Sequence, residues 1–375
     1  MTSTLFILYV FIAHVGLFEV YAFTRPLIRK LEMKSNEPVT HAHHQWYVVG
    51  ENDKIQKNVP TKIVLNDVPI TLWKNSDNAY AAIHDICPHR GVSLSRGRVD
   101  TNTGCVVCPY HTFKYNSCGR MVQSPGQKNL RTSTTFSYKT DIVYYRIKEV
   151  NNWVYLYDKP LYDVFEPPPL HDVWFEPEAF DENYRYITIS KDFNIDARTV
   201  TENSLDILHI SELHKFGNPQ DPLPKSDQTE RVNDEHTKVA YKYKAGPSAI
   251  PKLVYNIDEL IIENEYILPH YTVARVKFNN FVNTVITSAM PISEDKTRLF
   301  VKTYRNNLVT HIPFIDIFFD GIMYYLMDKT LNEDKGVIEH IYPSHRDGRF
   351  ITKYDELIRE YRNDYETYVD KDRFS

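Results

Sequence analysis

Cys87-Pro88-His89 is followed, after 18 intervening residues, by Cys108-Pro109-Tyr110-His111. Each segment offers one thiol and one imidazole. If the four donors share a metal centre, two short loops must meet at their tips. The surrounding chain suits that demand. Trp46-Tyr47-Val48-Val49, Ile63-Val64-Leu65, Ile70-Thr71-Leu72-Trp73, Val143–Ile147 and Trp153–Tyr157 read as short strands separated by turns, and Asn151-Asn152 is a hairpin signal. The sequence therefore predicts a small all-β domain over residues 41–159 with the donors on two loop tips. The tract from His41 to Trp46, rich in histidine, reads as the approach to the first strand.

Two thiolates plus two imidazoles suit a Rieske [2Fe–2S] centre, with Cys87 and Cys108 on one iron and His89 and His111 on the other. Neutral imidazole replaces anionic thiolate, so the cluster is less negative and its potential rises. A structural zinc site is the rival, but zinc sites more often group like ligands as Cys pairs and His pairs. The context also matters. Arg90-Gly91 follows the first segment, and Thr112-Phe113-Lys114-Tyr115 with Gly119 follows the second. This resembles the pattern of Rieske oxygenases, with Thr112 and Phe113 standing where that family usually has Gly and Trp. The Rieske proteins of respiratory and photosynthetic complexes carry two further bridging cysteines. Val92 and Tyr110 occupy those places here, and Cys105 and Cys118 read as free thiols.

Composition narrows the class. With 375 residues, 13% aromatics and 27 Tyr, the chain is long and apolar enough for one large or two medium folded domains. A net charge of −5 gives no signature of nucleic-acid binding. Residues 1–40 read as a targeting or anchoring segment and linker. Leu5–Phe23 is mostly apolar, with Arg25, Arg29 and Lys30 beyond it. Cleavage after Val20-Tyr21-Ala22, retention as a membrane anchor, and a buried amphipathic helix all fit. Ala22-Phe23-Thr24-Arg25-Pro26 is similar to the junction of some plastid preproteins, which suggests a membrane-associated, plastid destination. An endoplasmic reticulum anchor facing the cytosol is the alternative.

Residues 160–180, with Pro167-Pro168-Pro169, read as a linker. Strand-like stretches, a helix near 198–215 and a long helix from Ile312 to Ile341 predict an α+β second domain over 181–343, of antiparallel sheet plus helices. Residues 344–375 read as a polar tail. Asn203, Asp206, His209 and His214 recur at offsets that place them on roughly one side of the first helix. Two histidines near a carboxylate are the donors of a non-heme Fe(II) facial triad. The spacing resembles the N-x2-D-x2-H-x4-H motif of Rieske non-heme iron oxygenases, and Lys215-Phe216-Gly217 resembles the loop after it. The similarity then runs from about residue 41 to about residue 343.

That resemblance implies further roles. In the family the third iron ligand lies in a Glu-Asp pair on a late helix, which points to Asp334 after Glu333, with Asp328, Glu333 and Glu339 as rivals. Asp206 takes the place of the aspartate that links an iron histidine to a cluster histidine of the neighbouring subunit, and Asn203 would lie near the iron without binding it. The family's head-to-tail trimers imply a homotrimer. No GxGxxG segment and no plant-type ferredoxin cysteine spacing occur, so electrons are expected from a separate ferredoxin or flavin reductase. Arg90, Arg96, Arg98 and Lys114 could meet an acidic donor or be a solvated face. The activity implied is O2-dependent hydroxylation or cleavage of a hydrophobic ring, with tetrapyrroles ahead of sterols and small aromatic acids. A Rieske electron carrier or a redox-sensing component of a membrane assembly is the non-oxygenase reading. The apolar stretch His311–Met327 could line a large pocket or touch a membrane, but is expected to be a core helix.

Overall fold

Period-two alternation governs most of the chain, and in the computed structural model it yields three antiparallel sheets. Residues 44–126, 136–163, 169, 172–225 and 227–370 are described. The segment 1–40 and part of the Pro-rich stretch lie outside them. The first domain contains β1 (Trp46–Glu51), β2 (Thr61–Leu65), β3 (Val68–Lys74), β4 (Tyr80–His84), β5 (Arg98–Val99), β6 (Val106–Val107), β7 (Lys114–Tyr115), β8 (Met121–Gln123), β9 (Tyr144–Val150) and β10 (Trp153–Leu161). Six of these form a sheet in the order β1-β10-β9-β4-β3-β2, and the short four form a second, β5-β6-β7-β8. The turn residues Asn151 and Asn152 have φ of 51° and 68°. Those values match the hairpin type that Asn tolerates best.

The second domain is built on one seven-stranded sheet: β11 (Arg185–Phe193), β12 (Asp227–Asn233), β13 (His236–Lys244), β14 (Glu259–Ile267), β15 (Tyr271–Phe278), β16 (Phe281–Ser293) and β17 (Lys296–Arg305). Its order is β11-β17-β16-β15-β14-β13-β12. Alternate residues of the central strands serve two different neighbours. Tyr271, Val273, Ile286 and Phe300 share a buried core with Val48, Leu72 and Leu156 of the first domain. Their chain neighbours Thr272, Ala274, Val285, Leu299 and Val301 line a cavity on the opposite face. The sheet thus docks the cluster domain on one side and holds a pocket on the other.

A buried polar lock reinforces the docking. Lys302 is fully buried and donates to Glu176 Oε1 at 3.0 Å and to the Asn151 carbonyl at 2.7 Å. Burial pushes its ammonium below the usual range, against the pull of Glu176. Glu176 comes from the stretch expected to be a linker. There β10 runs on to Leu161, and Val173, Glu176 and Glu178 are buried, so the described part of that stretch belongs to the interface. The 344–375 segment also departs from a simple polar tail. Helix α5 (Glu356–Asp370) buries Leu357, Tyr361 and Tyr368 against β13 and β14.

The remaining helices carry the site. The helix expected near 198–215 is two pieces, α1 (Ala197–Leu205) and α2 (His209–Leu213). Asp206 breaks it. Its backbone is extended (ψ 119°), and its Oδ1 accepts from Leu208 N at 2.8 Å. This local bond competes with helix continuation. Short α3 (Ile250–Tyr255) and long α4 (Pro313–Ile338) follow. The first half of α4 is not a core helix: Phe314, Phe318 and Tyr325 are 75%, 64% and 66% exposed. No helix among the described residues is long and apolar enough to cross a membrane.

Candidate metal centres

The two cluster loops have the same backbone plan. Cys87 N donates to Val92 O and Gly91 N returns to Cys87 O. Cys108 N donates to Phe113 O and Thr112 N returns to Cys108 O, in the same i+5 and i+4 pattern. The pattern needs a left-handed residue at its turn. Gly91 (φ 71°) supplies one at no cost, and Thr112 (φ 60°) supplies the other despite its branched Cβ. Asp85, buried just before the first loop, is held by Thr71, Ser93 and Ser95 and anchors that loop from below.

The thiols point inward and the imidazoles outward. Cys87 and Cys108 are buried, His89 is exposed and His111 half-buried. His89 Nδ1 and His111 Nδ1 face each other at 3.1 Å, and the Tyr115 hydroxyl lies 3.3 Å from Cys87 Sγ. Burial, with Cys87 close by, pushes the Cys108 thiol up. Two soft thiols and two convergent ring nitrogens on facing loops fit a Rieske cluster. Around them Arg90, Arg96 and Arg98 are exposed. Lys114 is not a free surface charge, because it is paired with Asp100 at 2.5 Å. Pro125 starts a turn after β8, and its continuation at 127–135 is outside the described residues. No disulfide joins the described cysteines.

The second constellation assembles across the helix break. His209 Nε2 and His214 Nε2 lie 3.5 and 3.3 Å from Asp334 Oδ1. His209 starts α2, His214 follows its end, and Asp334 lies near the end of α4. Ligand atoms of the three residues all fall within 4.8 Å of one another. Asp334 Oδ1 is buried and has no hydrogen-bond partner among the described residues. An unpartnered buried carboxylate oxygen facing two imidazole nitrogens fits a divalent cation, and two histidines plus one carboxylate fit Fe(II).

Each histidine has a carboxylate behind it. His209 Nδ1 lies 3.4 Å from Asp206 Oδ2, and His214 Nδ1 lies 3.1 Å from Glu333 Oε2. Such partners orient metal-bound imidazoles. For His214, burial favours the neutral ring, but Asp334 and Glu333 outweigh it and the pKa is raised. For Asp206, burial opposes ionisation, but His209 and the Leu208 and His209 N–H groups outweigh it and the pKa is lowered. The rival carboxylates have other partners: Asp328 pairs with Lys191, Glu333 with His214, and Glu339 accepts from Asn194 N. Sequence reasoning weighed Glu333 only as a ligand. Its adjacency to Asp334 on a helix gave no means of seeing which group it faced.

Asn203 and Asp206 line the same cavity as the triad, which measures about 500 Å³ and lies between the sheet, α1, α3 and α4. Gly217 keeps the loop after His214 tight. A Cβ there would stand 2.1 Å from the Ile210 carbonyl, so no side chain fits. Phe216 stacks on His214 at 5.1 Å between ring centroids.

A family model for the Rieske [2Fe-2S] domain matches residues 45–136. The chain is 26% identical over 294 residues to pheophorbide a oxygenase, chloroplastic, of Arabidopsis thaliana, covering 72% of this chain and 49% of that protein. It is 21% identical over 173 residues to cholesterol 7-desaturase of Bombyx mori, covering 45% and 35%. The chain therefore spans about half the length of the first relative and less of the second. Its fold superposes on the crystal structure of dicamba monooxygenase bound to dicamba with a TM-score of 0.72, at 17% identity, covering 88% of this chain and 98% of that one.

Proposed function

We propose that this chain, which carries a Rieske [2Fe–2S] domain on the fold of the Rieske non-heme iron oxygenases, uses O2 and externally supplied electrons to hydroxylate or oxidatively cleave a hydrophobic ring. The observation that carries the reading is the triad His209, His214 and Asp334 at the wall of a largely apolar cavity. When bound, the cluster supplies single electrons and the mononuclear iron activates O2. The net change is substrate C–H, O2, two electrons and two protons going to C–OH and water.

The side chains divide the remaining work. Cys87, His89, Cys108 and His111 would hold the cluster, with the imidazole edges facing the electron donor. Asp206 would fix His209 through Nδ1 and offer its half-exposed carboxylate to a cluster histidine of a second subunit. Glu333 would hold the His214 ring by the same logic. Asn203 sits beside the triad in the cavity wall. The apolar lining excludes water and shields the reaction from stray reductants.

A separate ferredoxin or flavin reductase would supply electrons, with Arg90, Arg96 and Arg98 as the exposed cations beside the cluster. A trimer would bring Asp206 to a neighbour's cluster. The chloroplastic relative and the Ala22-Phe23 junction support a plastid destination, and the apolar Leu5–Phe23 run supports membrane association. The chlorophyll-catabolite reading of the substrate rests on the same relative. The sterol reading rests on the cholesterol desaturase relative and on a cavity wall that, among the described residues, holds no arginine. The test is metal analysis joined to O2 uptake with a reductase pair. About three irons per chain and substrate-dependent O2 uptake are expected. About two irons and no uptake would make the chain an electron carrier or sensor instead.

A further inference from the structure

Two polar side chains stand out on the cavity's apolar floor. Asn264 of β14 is 3% exposed and Thr303 of β17 is 2% exposed, and both line the cavity. Asn264 Oδ1 and Thr303 Oγ1 have no hydrogen-bond partner among the described residues. The other polar floor groups behave differently: Thr272 and Thr287 bond each other at 2.7 Å, and Asn283 accepts from Asn307. Buried polar atoms are normally paired, and leaving one unpaired costs free energy.

Their placement is ordered. Asn264 pairs in register with Ala274, Ala274 with Val285, and Val285 with Thr303. The two polar residues thus end one row across three strand spacings, about 14 Å apart, with only Ala and Val between them. Asn264 lies beside the helix break, since its Nδ2 reaches the carbonyl of Leu205, next to Asp206. Thr303 is at the other end of the row. A flat apolar ring system lying along this row would place a polar group at each end.

The charges of the wall narrow the ligand further. Among the described residues the cavity wall holds the carboxylates Asp206, Glu333 and Asp334 and no arginine, and of its two lysines Lys215 is exposed and Lys329 half-buried. Three side-chain carboxylates thus stand against one half-buried ammonium and the bound iron, which favours a neutral ligand over a substrate carboxylate. An amide oxygen accepts hydrogen bonds and cannot donate them, so Asn264 Oδ1 calls for an O–H or N–H on the ligand. We infer that Asn264 and Thr303 are specificity-determining residues that select a neutral, flat, fused-ring molecule with a hydroxyl at the Asn264 end and an oxygen function at the other. This inference rests on the oxygenase reading for the cavity as the substrate site.

Binding to the full, cluster- and iron-loaded chain under anaerobic conditions tests it, by equilibrium dialysis with four probes. These are a steroid diol with one hydroxyl at each end of the rings, the matching diketone, the parent hydrocarbon, and pheophorbide a. The diol should bind about tenfold tighter than the diketone, as one lost hydrogen bond predicts. Asn264→Leu should bring diol and diketone together, while Thr303→Val should weaken both but not the hydrocarbon. Equal diol and diketone affinity in the unaltered protein overturns the inference, as does tighter binding of pheophorbide a than of the diol. Neither of those results depends on a variant folding. O2 uptake keeps the two readings apart. Uptake with pheophorbide a alone leaves the oxygenase reading standing and removes this one. Diol binding as expected, with no uptake by any probe, does the reverse.

Discussion

The two candidate metal centres place the same donor, histidine, in opposite surroundings. In the cluster loops the imidazoles are the exposed part: His89 is open to solvent, while Cys87 and Cys108 are buried. At the triad His214 and Asp334 are buried and His209 is half-buried. On the proposed function, single electrons would cross a surface, which calls for a thin edge at the cluster, and oxygen chemistry would need water kept out, which an apolar wall around the triad provides. The loops need only local hydrogen bonds and tight turns. The triad needs a helix break, a long helix and a sheet to bring residues from 209 to 334 together.

The sharpest way to break this comparison is to remove one region and look at the other. His214→Ala should abolish turnover and mononuclear iron while the visible spectrum of the cluster stays intact. Cys108→Ala should do the opposite to the metals and also abolish turnover. If either variant loses both centres, the regions are not independent as metal sites. Asp206→Ala should come next in size. Both metals should remain, while turnover with a reductase falls by at least about a hundredfold, the upper end for losing a carboxylate behind a metal histidine. Normal turnover in that variant would remove the linking role from Asp206.

Glu333→Gln probes whether the triad has its own support at His214. Glutamine keeps the size but loses the charge facing Nδ1, so iron affinity should fall roughly tenfold, the lower end for such partners. Competition with a chelator measures it, and the cluster spectrum should not change. An unchanged affinity would mean that Asp334 alone orients the ring.

The difference in legibility between the regions follows from range. The pairing of the two cluster loops was readable because each loop carries its candidate donors within a few residues, beside Pro and Gly. His209 and His214 were readable by spacing, but the helix assumed beneath them was wrong. Asp206 forms a local bond with Leu208 N that ends the helix, and the sequence shows an aspartate without showing which bond it makes. Asp334 could be ranked only through resemblance, because its alignment with the histidines depends on where α4 crosses the sheet. The exposed face of α4 was misjudged for a related reason. An aromatic stripe states that a surface is apolar, not that anything covers it. Asn264 carried a fainter signal, a polar residue in the otherwise apolar alternate row Leu260, Ile262 and Tyr266 of its strand.

The smallest expected effect lies in the one residue where the two cluster loops differ in conformational cost. Gly91 and Thr112 occupy equivalent turns with φ of 71° and 60°. Left-handed backbone costs a residue with a Cβ roughly 1–2 kcal/mol, and branching at Cβ adds crowding. Thr112→Gly should therefore stabilise the second loop, by about 1 kcal/mol after the extra freedom of glycine in the unfolded chain is deducted. Chemical denaturation followed at the cluster's visible band would show the shift. Turnover should stay the same, because Thr112 is exposed and donates only through its backbone. A destabilised or slower variant would mean that the threonine side chain contributes something at the cluster that its hydrogen bonds do not reveal, and the two loops would then differ in function as well as in strain.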